Sequence, residues 1–256
     1  MNPKVSIITV CFNSEKTIRD TIESVLSQDY SIIEYIIIDG GSTDQTMSIV
    51  KEYEGKVSII VSEQDRGIYD AMNKGISLAS GEIIGMLNSD DIYINQHAVS
   101  DLIKKMLSEG TDSVFADLVI VEPDNLNKVL RYYDSSYFSP GKFRFGWMPA
   151  HPTFFVKKFL YDKVGQYSLE YRISADYEML IRLLWVQRAS YAYLNKPVVR
   201  MRYGGISTSG FSRNWLLNKE IIRACKENGL YTNLGFLALK IPRKIFELVN
   251  ARRGSR

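Results

Sequence analysis

Four short apolar runs, rich in β-branched residues, alternate with amphipathic segments along residues 1–110. The runs span residues 5–10, 33–38, 57–61 and 82–87. Their mainly apolar character is typical of strands that are buried on both faces. The segments between them repeat apolar residues at helical spacing, so a helix is expected to make each crossover between parallel strands. This order predicts an α/β fold with a Rossmann-like, mainly parallel sheet and helices on both faces.

Local signals set the expected bounds of the individual elements. Ser42 and Gln45 have the spacing of a capping box, which predicts a helix from Ser42 through Val50. Strands are predicted at residues 113–121, 128–133 and 198–203, and helices at residues 97–107, 175–186, 214–228 and 234–250. Residues 135–147 are rich in aromatic residues, glycine and proline, and they predict a loop rather than a packed element.

Composition excludes several classes of protein. The 256 residues are 45% hydrophobic and 24% charged, which predicts a soluble globular protein of one large domain, or one domain with an appendage. No apolar run approaches the roughly 18 residues of a membrane span. The net charge of +3, from 32 basic and 29 acidic residues, is too balanced for a nucleic-acid partner. Two cysteines, Cys11 and Cys225, exclude a disulfide framework, and with no visible secretory leader they predict a cytoplasmic location.

Polar residues follow each of the four predicted strands of the first half. Ligands of open α/β sheets bind beyond the carboxyl ends of the strands, so these residues are the first candidates for a site. They are Asn13, Asp39, residues 63–66 and residues 88–91. Asp90 and Asp91 are adjacent carboxylates whose repulsion a cation would relieve, and hard oxygen ligands suit Mn²⁺ or Mg²⁺. The alternative is that one of these two acids caps the following helix.

Three further residues are candidates for chemistry, each with a structural alternative. Asp39 precedes two glycines, and it either accepts hydrogen bonds from a ribose or base or begins a turn. Asp176 lies at a predicted helix start, as a general base or as an acid favoured by the helix dipole. His151 is a candidate ligand for metal or phosphate, or a structural histidine. No Ser-His-Asp, Cys-x-x-Cys or His-x-x-x-His spacing is present, so neither a hydrolase triad nor a zinc site is predicted.

Seven motifs in order resemble those of the family 2 glycosyltransferases with the GT-A fold. They occupy residues 3–13, 24–28, 38–44, 65–76, 80–84, 87–91 and 175–178. Each motif alone is a weak signal, but the ordered set is specific, and the resemblance covers residues 3–205. It implies transfer of a single sugar, with inversion, from a nucleotide-sugar to a glycan or a lipid-linked saccharide. It also implies UDP as the nucleotide and a part in bacterial polysaccharide or lipopolysaccharide biosynthesis.

The same resemblance implies roles for individual residues. Phe12 is expected to stack on the base, and Asp39 to contact the base or the ribose. Asp90 and Asp91 are expected to form the site of the Mn²⁺ or Mg²⁺ ion, with Asp90 or Asp91 also near the ribose. Asp176 is expected to deprotonate the acceptor hydroxyl. The other expected contacts to the nucleotide-sugar come from Val10, Asn13, Arg66, Asn73, Lys74, Asn88 and Asp90.

Several positions depart from the family pattern. Gly40 stands where many members have a second acid, and Asn88 replaces a frequent acid of the metal motif. Met72 stands where an arginine is frequent, so Arg66 or Lys74 is expected to meet the diphosphate instead. The Gln-x-x-Arg-Trp motif and the membrane helices of processive synthases are absent, which favours the addition of single sugars.

Two other classes of protein compete with this interpretation. A nucleotidyltransferase that makes nucleotide-sugars would need a glycine-rich phosphate loop with a basic residue after the first strand, whereas Asn13-Ser14-Glu15-Lys16 follows it here. A non-catalytic binding protein with the GT-A fold would not need the acids Asp90, Asp91 and Asp176. Donor hydrolysis in the presence of Mn²⁺ separates an enzyme from such a scaffold.

The end of the chain carries a separate signal. Residues 240–256 contain six basic residues and one acid, a net charge of +5, and follow an apolar stretch. Residues 231–256 are therefore predicted to lie on an anionic membrane surface, at the inner face of the cell membrane. The alternative is that they pack on the body or on another subunit of a homo-oligomer. The expected division is a catalytic domain, 1–210, with a nucleotide-binding half, 1–110, and an acceptor-binding half, 111–210, followed by a helical, basic extension, 211–256.

Overall fold

The computed structural model describes residues 2–204 and 211–239, with the backbone alone for residues 211–213. Within these ranges nine strands form one sheet. The strands are β1 (Val5–Cys11), β2 (Ile33–Asp39), β3 (Ile59–Ser62), β4 (Ile83–Met86), β5 (Asp91–Tyr93), β6 (Ser113–Glu122), β7 (Asn125–Tyr133), β8 (Phe155–Lys157) and β9 (Tyr191–Arg202). The helices are α1 (Ile18–Leu26), α2 (Thr46–Lys51), α3 (Ile68–Leu78), α4 (Ala98–Glu109), α5 (Phe159–Val164), α6 (Ala175–Ile181), α7 (Phe211–Glu227) and α8 (Leu234–Ala238).

The sheet joins a parallel half to a mixed half. Its strand order is β3-β2-β1-β4-β8-β6-β9-β5, with β7 beside β6. The pairs β1–β2, β1–β4 and β2–β3 are parallel, as the alternating pattern predicts. β8 runs antiparallel to both β4 and β6, and β6 pairs in parallel with β9. The predicted α/β architecture is therefore confirmed.

Successive side chains of the central strands enter two separate cores, one on each face of the sheet. On β1, Ile8 and Val10 belong to the core beneath α3, α6 and α7, whereas Ile7 and Cys11 belong to the core beneath α1 and α4. All seven residues of β1 are buried. Burial on both faces is why this strand has no polar alternation in its sequence.

The register of the parallel strands determines where the polar loops lie. Cys11 at the end of β1 is level with Asp39 at the end of β2, and Ile8 is level with Met86 at the end of β4. Because the three strands run in the same direction, the segments that follow them emerge at one edge of the sheet. The cavity described below lies at this edge.

The predicted capping box does not form. α2 begins at Thr46, and the side chain of its N-cap residue, Gln45, makes no capping bond, whereas Asp44 Oδ1 accepts from Thr46 N at 2.9 Å. The hydroxyl of Ser42 instead donates to Asp39 and accepts from the backbone N–H of Asn13. The interactions between strand ends therefore outweigh the local capping preference of Ser42.

Several predicted elements differ in extent. Three-residue strands β5 and β8 are too short to produce a sequence signal, and β9 begins at Tyr191, upstream of the predicted residue 198. The predicted loop 135–147 contains a 3₁₀ helix, Pro140–Phe145, whose Phe143 is fully buried. The prediction that this segment does not pack is wrong, because Phe138 and Phe143 contact each other and three further aromatic residues of the second half. These three are Phe115, Tyr177 and Tyr191.

The last described helices pack on the body of the protein. Ile221, Ala224 and Cys225 of α7 are buried in the same core as α6, and a π-helical turn, Arg182–Val186, extends α6. Of the helix predicted at residues 234–250, α8 covers Leu234–Ala238, and the part from residue 240 lies outside the described residues. In the described parts of the chain, none of the helices combines the length and apolar character that crossing a bilayer requires.

A buried carboxylate ties the amino end of the chain to the sheet. Glu34 on β2 is only 6% exposed, and it accepts hydrogen bonds from Lys4 Nζ at 2.8 Å, Ser6 Oγ at 2.6 Å and Ser80 N at 2.7 Å. Burial alone would raise the pKa of Glu34, but these donors outweigh it and lower the pKa to about 2. The carboxylate therefore stabilises the fold above its ordinary pKa of 4.5, and this contribution is lost as the pH falls towards 2.

We expect Glu34→Gln to lower the free energy of unfolding by about 1–3 kcal/mol at pH 7, because one acceptor is lost among buried donors. The difference from the wild type should shrink between pH 5 and pH 2. Denaturant unfolding across this range measures it. The control is Glu52→Gln, which removes an exposed ion pair with Arg19 and should change the stability much less, because water and salt screen such a pair. Equal losses for the two variants would contradict this account of Glu34.

Candidate active site

A cavity of about 900 Å³ opens at the carboxyl edge of the parallel strands. Segments that are distant in the sequence line it: the end of β1, the start of α3, the turn between β4 and β5, the start of α6 and the end of β9. Eight of the predicted site residues are in the lining: Val10, Phe12, Asn13, Asn88, Asp90, Asp91, His151 and Asp176. A volume in this range suits a small-molecule ligand or cofactor.

The end of β1 supplies an exposed aromatic ring and a strained turn. Phe12 lines the cavity and is 61% exposed, which is unusual for a large apolar side chain. The next residue, Asn13, has a φ of +49°, a left-handed conformation that asparagine tolerates better than most residues. Asn13 N donates to Ser42 Oγ at 2.8 Å, and Thr43 N donates to Asn13 Oδ1 at 2.9 Å. These bonds fix the loop after β1 to the loop after β2.

The carboxylate of Asp39 holds the loop after β2 through hydrogen bonds. It is fully buried, and its carboxylate accepts from Gly41 N at 3.2 Å, Ser42 N at 3.1 Å and Ser62 Oγ at 2.6 Å. The described lining of the cavity includes the adjacent Gly40 but does not include Asp39. The contact with base or ribose predicted for Asp39 stays a prediction, and its observed bonds are to the chain itself.

Gly40 allows a carboxylate from the next loop to approach the cavity. A Cβ atom at position 40 would lie 2.5 Å from Oδ2 of Asp65, which no real contact permits. Asp65 lines the cavity, and its Oδ1 accepts from Gly67 N at 2.7 Å. The carboxylate of Asp65 therefore fills the space that a side chain at position 40 would need. Asp65 lies in the polar stretch 63–66 and opens the motif at residues 65–76, but the sequence pattern predicts no individual role for it.

Besides Asp39, three more of the predicted donor-binding residues lie outside the described lining. Arg66 pairs with Asp70 at 3.1 Å, and Lys74 pairs with Glu63 at 2.8 Å. Asn73 is buried, and its amide exchanges two hydrogen bonds with the backbone of Tyr167, at 2.8 and 2.9 Å. Roles of these three side chains at the ligand stay predictions.

Two exposed cations that were not predicted as site residues line the cavity. Lys16 follows β1 and Arg172 precedes α6, and both are exposed residues of the lining. Neither side chain has a hydrogen bond or an ion pair within the described ranges. Both are therefore available to an anionic ligand. The sequence offers no periodic or motif signal for Arg172.

The turn between β4 and β5 holds two acids in a poorly solvated position. Asp91 N donates to Asn88 O at 3.0 Å, and Asp91 is 1% exposed while Asp90 is half-buried. Burial raises the pKa of Asp90, and burial together with the charge of Asp90 raises the pKa of Asp91 well above its ordinary value. The buried atoms Asn88 Oδ1 and Asp91 Oδ1 have no hydrogen-bond partner among the described residues.

These oxygen atoms suit a divalent cation. Unpartnered buried oxygens are rare in proteins, and hard oxygen donors are the preferred ligands of Mg²⁺ and Mn²⁺. Within the described chain, no three His, Cys, Asp or Glu side chains converge closely enough to bind a metal by themselves. A cation held at Asp90 and Asp91 would therefore complete its coordination with ligand or water oxygens. His151 is not part of such a group with these two acids in the described residues.

A buried arginine from β9 anchors this turn. Arg202 is 7% exposed, and its Nη1 donates to the backbone oxygen of Asp90 at 2.9 Å. It also pairs with Asp20 on α1. Its positive charge opposes the effect of burial on the pKa of both Asp90 and Asp91. Arg202 was not predicted, because a contact across 112 residues leaves no local signal.

Asp176 is the second residue of α6, as predicted. Its Oδ1 accepts from Tyr177 N at 2.8 Å and lies 3.4 Å from the hydroxyl of Tyr69 on α3. Burial raises the pKa of Asp176, and the neighbouring His151 partly opposes the shift. The nearby Glu178 is held by Arg182 at 2.7 Å and is outside the described lining, in line with its different helix face. Asp176 is thus a carboxylate inclined to take up a proton at the cavity wall.

His151 lies beside Asp176 in a buried aromatic group. It is 8% exposed, and its Nε2 is 3.0 Å from the hydroxyl of Tyr167. Burial lowers the pKa of His151, against the raising effect of Asp176. Tyr167 in turn stacks on Tyr69 with ring centroids 5.8 Å apart. The metal or phosphate contact predicted for His151 stays a prediction.

Comparison with known proteins identifies relatives by sequence. The model of the family described as Glycosyl transferase family 2 matches residues 6–165. An uncharacterized glycosyltransferase of Mycobacterium tuberculosis is 35% identical over 182 residues, which make up 70% of this chain and 68% of that protein.

Solved structures of two other proteins share the fold. S. aureus TarS 1–349 in complex with UDP-GlcNAc has a TM-score of 0.64 at 18% identity, over 97% of this chain and 79% of that chain. In another crystal structure of TarS 1–349 the match spans 86% of this chain and 65% of that one. The mannosyltransferase PcManGT of Pyrobaculum calidifontis, in complex with GDP-Man and Mn²⁺, has a TM-score of 0.57 at 18% identity over 97% of this chain. At identities this low, the structural similarity shows a common fold alone.

The buried acid pair should reduce the stability of the protein. Because the pKa of Asp91 is raised in the fold, its carboxylate destabilises the folded state at neutral and higher pH, and this cost disappears as the pH falls. We expect Asp91→Asn to raise the free energy of unfolding by about 0.5–2 kcal/mol at pH 8. The difference should narrow towards pH 4. Asp124→Asn, in the exposed turn between β6 and β7, is the matched control and should change little. A less stable Asp91→Asn protein at pH 8 would refute this interpretation.

Proposed function

The chain belongs to glycosyl transferase family 2 and has the GT-A fold, and from this premise we propose that it transfers a single sugar, with inversion, from a UDP-sugar to a glycan or lipid-linked saccharide. One observation carries the proposal. A single cavity of about 900 Å³ brings the buried, unpartnered oxygens of the Asp90–Asp91 turn together with the proton-accepting carboxylate of Asp176. The first group suits a cation that neutralises the leaving diphosphate. The second group suits the incoming hydroxyl.

The nucleotide is proposed to bind at the ends of β1, β2 and β3. The exposed ring of Phe12 offers a stacking surface for the base. Asp65 lines the same part of the cavity beside Gly40, where it can accept hydrogen bonds from a base or ribose. Asp39 shapes this subsite by holding the Gly41–Ser42 amides. The complexes of TarS with UDP and with UDP-GlcNAc support a UDP-sugar as the donor.

A divalent cation, Mn²⁺ or Mg²⁺, is proposed to bind at Asp90 and Asp91, with Asn88 Oδ1 close by. When bound, it would neutralise the negative charge that develops on the leaving diphosphate. Arg202 keeps the turn in place through the backbone of Asp90. The Mn²⁺ in the mannosyltransferase complex supports a metal in this fold.

The unpaired cations of the cavity are proposed to contact phosphate groups. Lys16 and Arg172 are exposed cations of the lining whose side chains have no hydrogen bond or ion pair in the described chain. The arginine or lysine expected for this role from sequence, Arg66 or Lys74, is already paired with an acid. An unpaired cation in the cavity wall can meet the diphosphate without first breaking an ion pair.

Asp176 is proposed to act as the general base. The transition state of glycosyl transfer has oxocarbenium character, and the acceptor hydroxyl must lose its proton as it bonds to the anomeric carbon. Burial makes the carboxylate of Asp176 a better proton acceptor than an exposed aspartate. The Tyr177 amide donates to one of its oxygens, Oδ1, and the Tyr69 hydroxyl lies 3.4 Å from the same atom. Oδ2 is then the proposed acceptor of the proton.

We expect Asp176→Asn to lower the transfer or donor-hydrolysis rate by about 10²–10⁴-fold, because an amide cannot accept the proton. Its affinity for UDP with Mn²⁺ should stay within threefold of the wild type, since the lost interaction is made mainly in the transition state. Calorimetry and donor turnover with Mn²⁺ measure the two quantities. The exposed acid of Asp162 on α5 provides the control, and Asp162→Asn should turn over normally.

Two results would contradict this role. Near-normal turnover by Asp176→Asn would exclude it as the base. A collapse of UDP affinity would make Asp176 a binding residue instead. A wild-type protein that hydrolyses no UDP-sugar and transfers no sugar would point to a non-catalytic binding protein.

The end of the chain is proposed to attach the enzyme to the inner face of the cell membrane. In the described part, Tyr231, Leu234 and Leu239 are exposed. The basic residues of the predicted segment lie at 240–256, outside the described residues. Attachment there would bring the cavity close to a lipid-linked acceptor.

Liposome co-sedimentation tests this attachment. We expect the full chain to sediment with vesicles that contain anionic lipid, because each basic residue near such a surface contributes about 1 kcal/mol. A chain that ends at residue 239 should remain in solution, and added salt should release the full chain. Equal sedimentation of both chains would exclude the tail as the anchor and favour packing on the body or on a second subunit.

A further inference from the structure

The short segment that precedes α6 is held by a carboxylate from the C-terminal helix α7. Glu220 accepts hydrogen bonds from three successive backbone amides: Arg172 N at 2.8 Å, Ile173 N at 3.0 Å and Ser174 N at 3.0 Å. It also accepts from Ser174 Oγ at 2.7 Å. Its two oxygens therefore bind four donors of a single turn.

This arrangement is specific rather than incidental. Glu220 is only 7% exposed, and no cation pairs with it among the described residues. A buried carboxylate is costly unless hydrogen bonds compensate its charge. Here the whole compensation comes from residues 172–174. The segment and the carboxylate consequently depend on each other.

The opposite side of the same segment is held by the nucleotide-binding half. The hydroxyl of Tyr69 on α3 donates to Ile173 O at 2.6 Å and lies 3.4 Å from Asp176 Oδ1. Glu220 thus takes the amides of the segment, while Tyr69 binds one of its carbonyls. Residues 172–174 are clamped between two helices that lie 150 residues apart in the sequence, α3 and α7.

The clamp determines the position of two cavity residues. Ser174 is the residue at which α6 starts, and its carbonyl accepts the first helical bond, from Glu178 N at 3.0 Å. Asp176 follows two residues later, so the position of Ser174 determines where Asp176 lies. Arg172, whose amide is bound by Glu220, lines the cavity as an exposed cation.

We propose that Glu220 is a positioning residue for catalysis, which aligns Asp176 and Arg172 by holding residues 172–174. The proposal rests on the role of Asp176 given under Proposed function. It makes α7, predicted from sequence to belong to an appended extension, a part that the active site needs in order to work.

Other contacts keep α7 in place when Glu220 is changed. Ile221, Ala224 and Cys225 are buried against the core of α6, and Glu227 accepts from the hydroxyl of Tyr171 at 2.6 Å. The loss of the Glu220 carboxylate should therefore loosen the segment without releasing the helix. That separation makes a specific test possible.

The test compares Glu220→Gln and Glu220→Ala with the wild-type full chain. Glu220→Gln keeps the size of the side chain but turns one acceptor into a donor facing an amide, and Glu220→Ala removes all four bonds. We expect kcat for hydrolysis of UDP-glucose or UDP-N-acetylglucosamine with Mn²⁺ to fall about 10-fold in Glu220→Gln and about 100-fold in Glu220→Ala, as happens when catalytic groups are misplaced. The donor KM and the affinity for UDP should stay within threefold. Hydrogen exchange of the amides at residues 172–174 should accelerate in both variants.

The matched control is Glu227→Gln, two turns further along α7. It also removes a bound carboxylate, but none of its bonds is to residues 172–174. Its kcat and its exchange rates at these residues should equal those of the wild type. If it lowers kcat as much as Glu220→Gln does, the effect belongs to the docking of α7 and the assignment to Glu220 is wrong.

The failures of the two proposals are distinguishable. Unchanged exchange at residues 172–174 in Glu220→Ala, or faster exchange with unchanged kcat, would overturn the positioning role while leaving the proposed function intact. A wild-type protein without turnover of any nucleotide-sugar would overturn the proposed function, and the exchange experiment would still decide whether Glu220 holds the segment.

Discussion

The parallel pairing of β1 with β2 and β4 is the constraint on which the site depends. It brings three strand ends to one edge, and the loops that follow them bond to one another there. Ser42 illustrates the effect, because its hydroxyl links Asp39 to the Asn13 amide instead of capping α2, whose first amide donates to Asp44.

The second half of the chain completes this edge from three directions. Arg202 from β9 anchors the Asp90 backbone, and Glu220 from α7 holds the turn before Asp176. Tyr69 from α3 connects the two halves through Ile173. Each contact joins a buried polar or charged group to backbone atoms, which fixes the loops more firmly than contacts between flexible side chains would.

Acids removed from water have opposite effects in the core of the sheet and at the candidate site. Glu34 is buried among donors that keep it charged, so it stabilises the sheet. Asp91 is buried with an oxygen that has no partner in the described chain, whereas Asp176 is half-buried at the cavity wall, where desolvation raises its pKa. Such poorly satisfied acids are typical of functional sites, where a ligand supplies the missing interactions.

The sequence by itself determined the alternation of strands and helices and the polar residues at the strand ends, because apolar periodicity can be recognised within a few residues. Asp90, Asp91 and Asp176 each keep a structural alternative on local grounds, and only the ordered set of family-like motifs predicts them as site residues. Only the tertiary structure decided that Arg202 and Glu220 bind the segments that carry these acids, that Asp65 lies against Gly40, that Asp39 bonds to its own loop, and that Arg66 and Lys74 are already paired. The physical reason is that these interactions depend on which loops meet across the folded sheet, and a contact between residues 90 and 202 leaves no trace in the residues around either one.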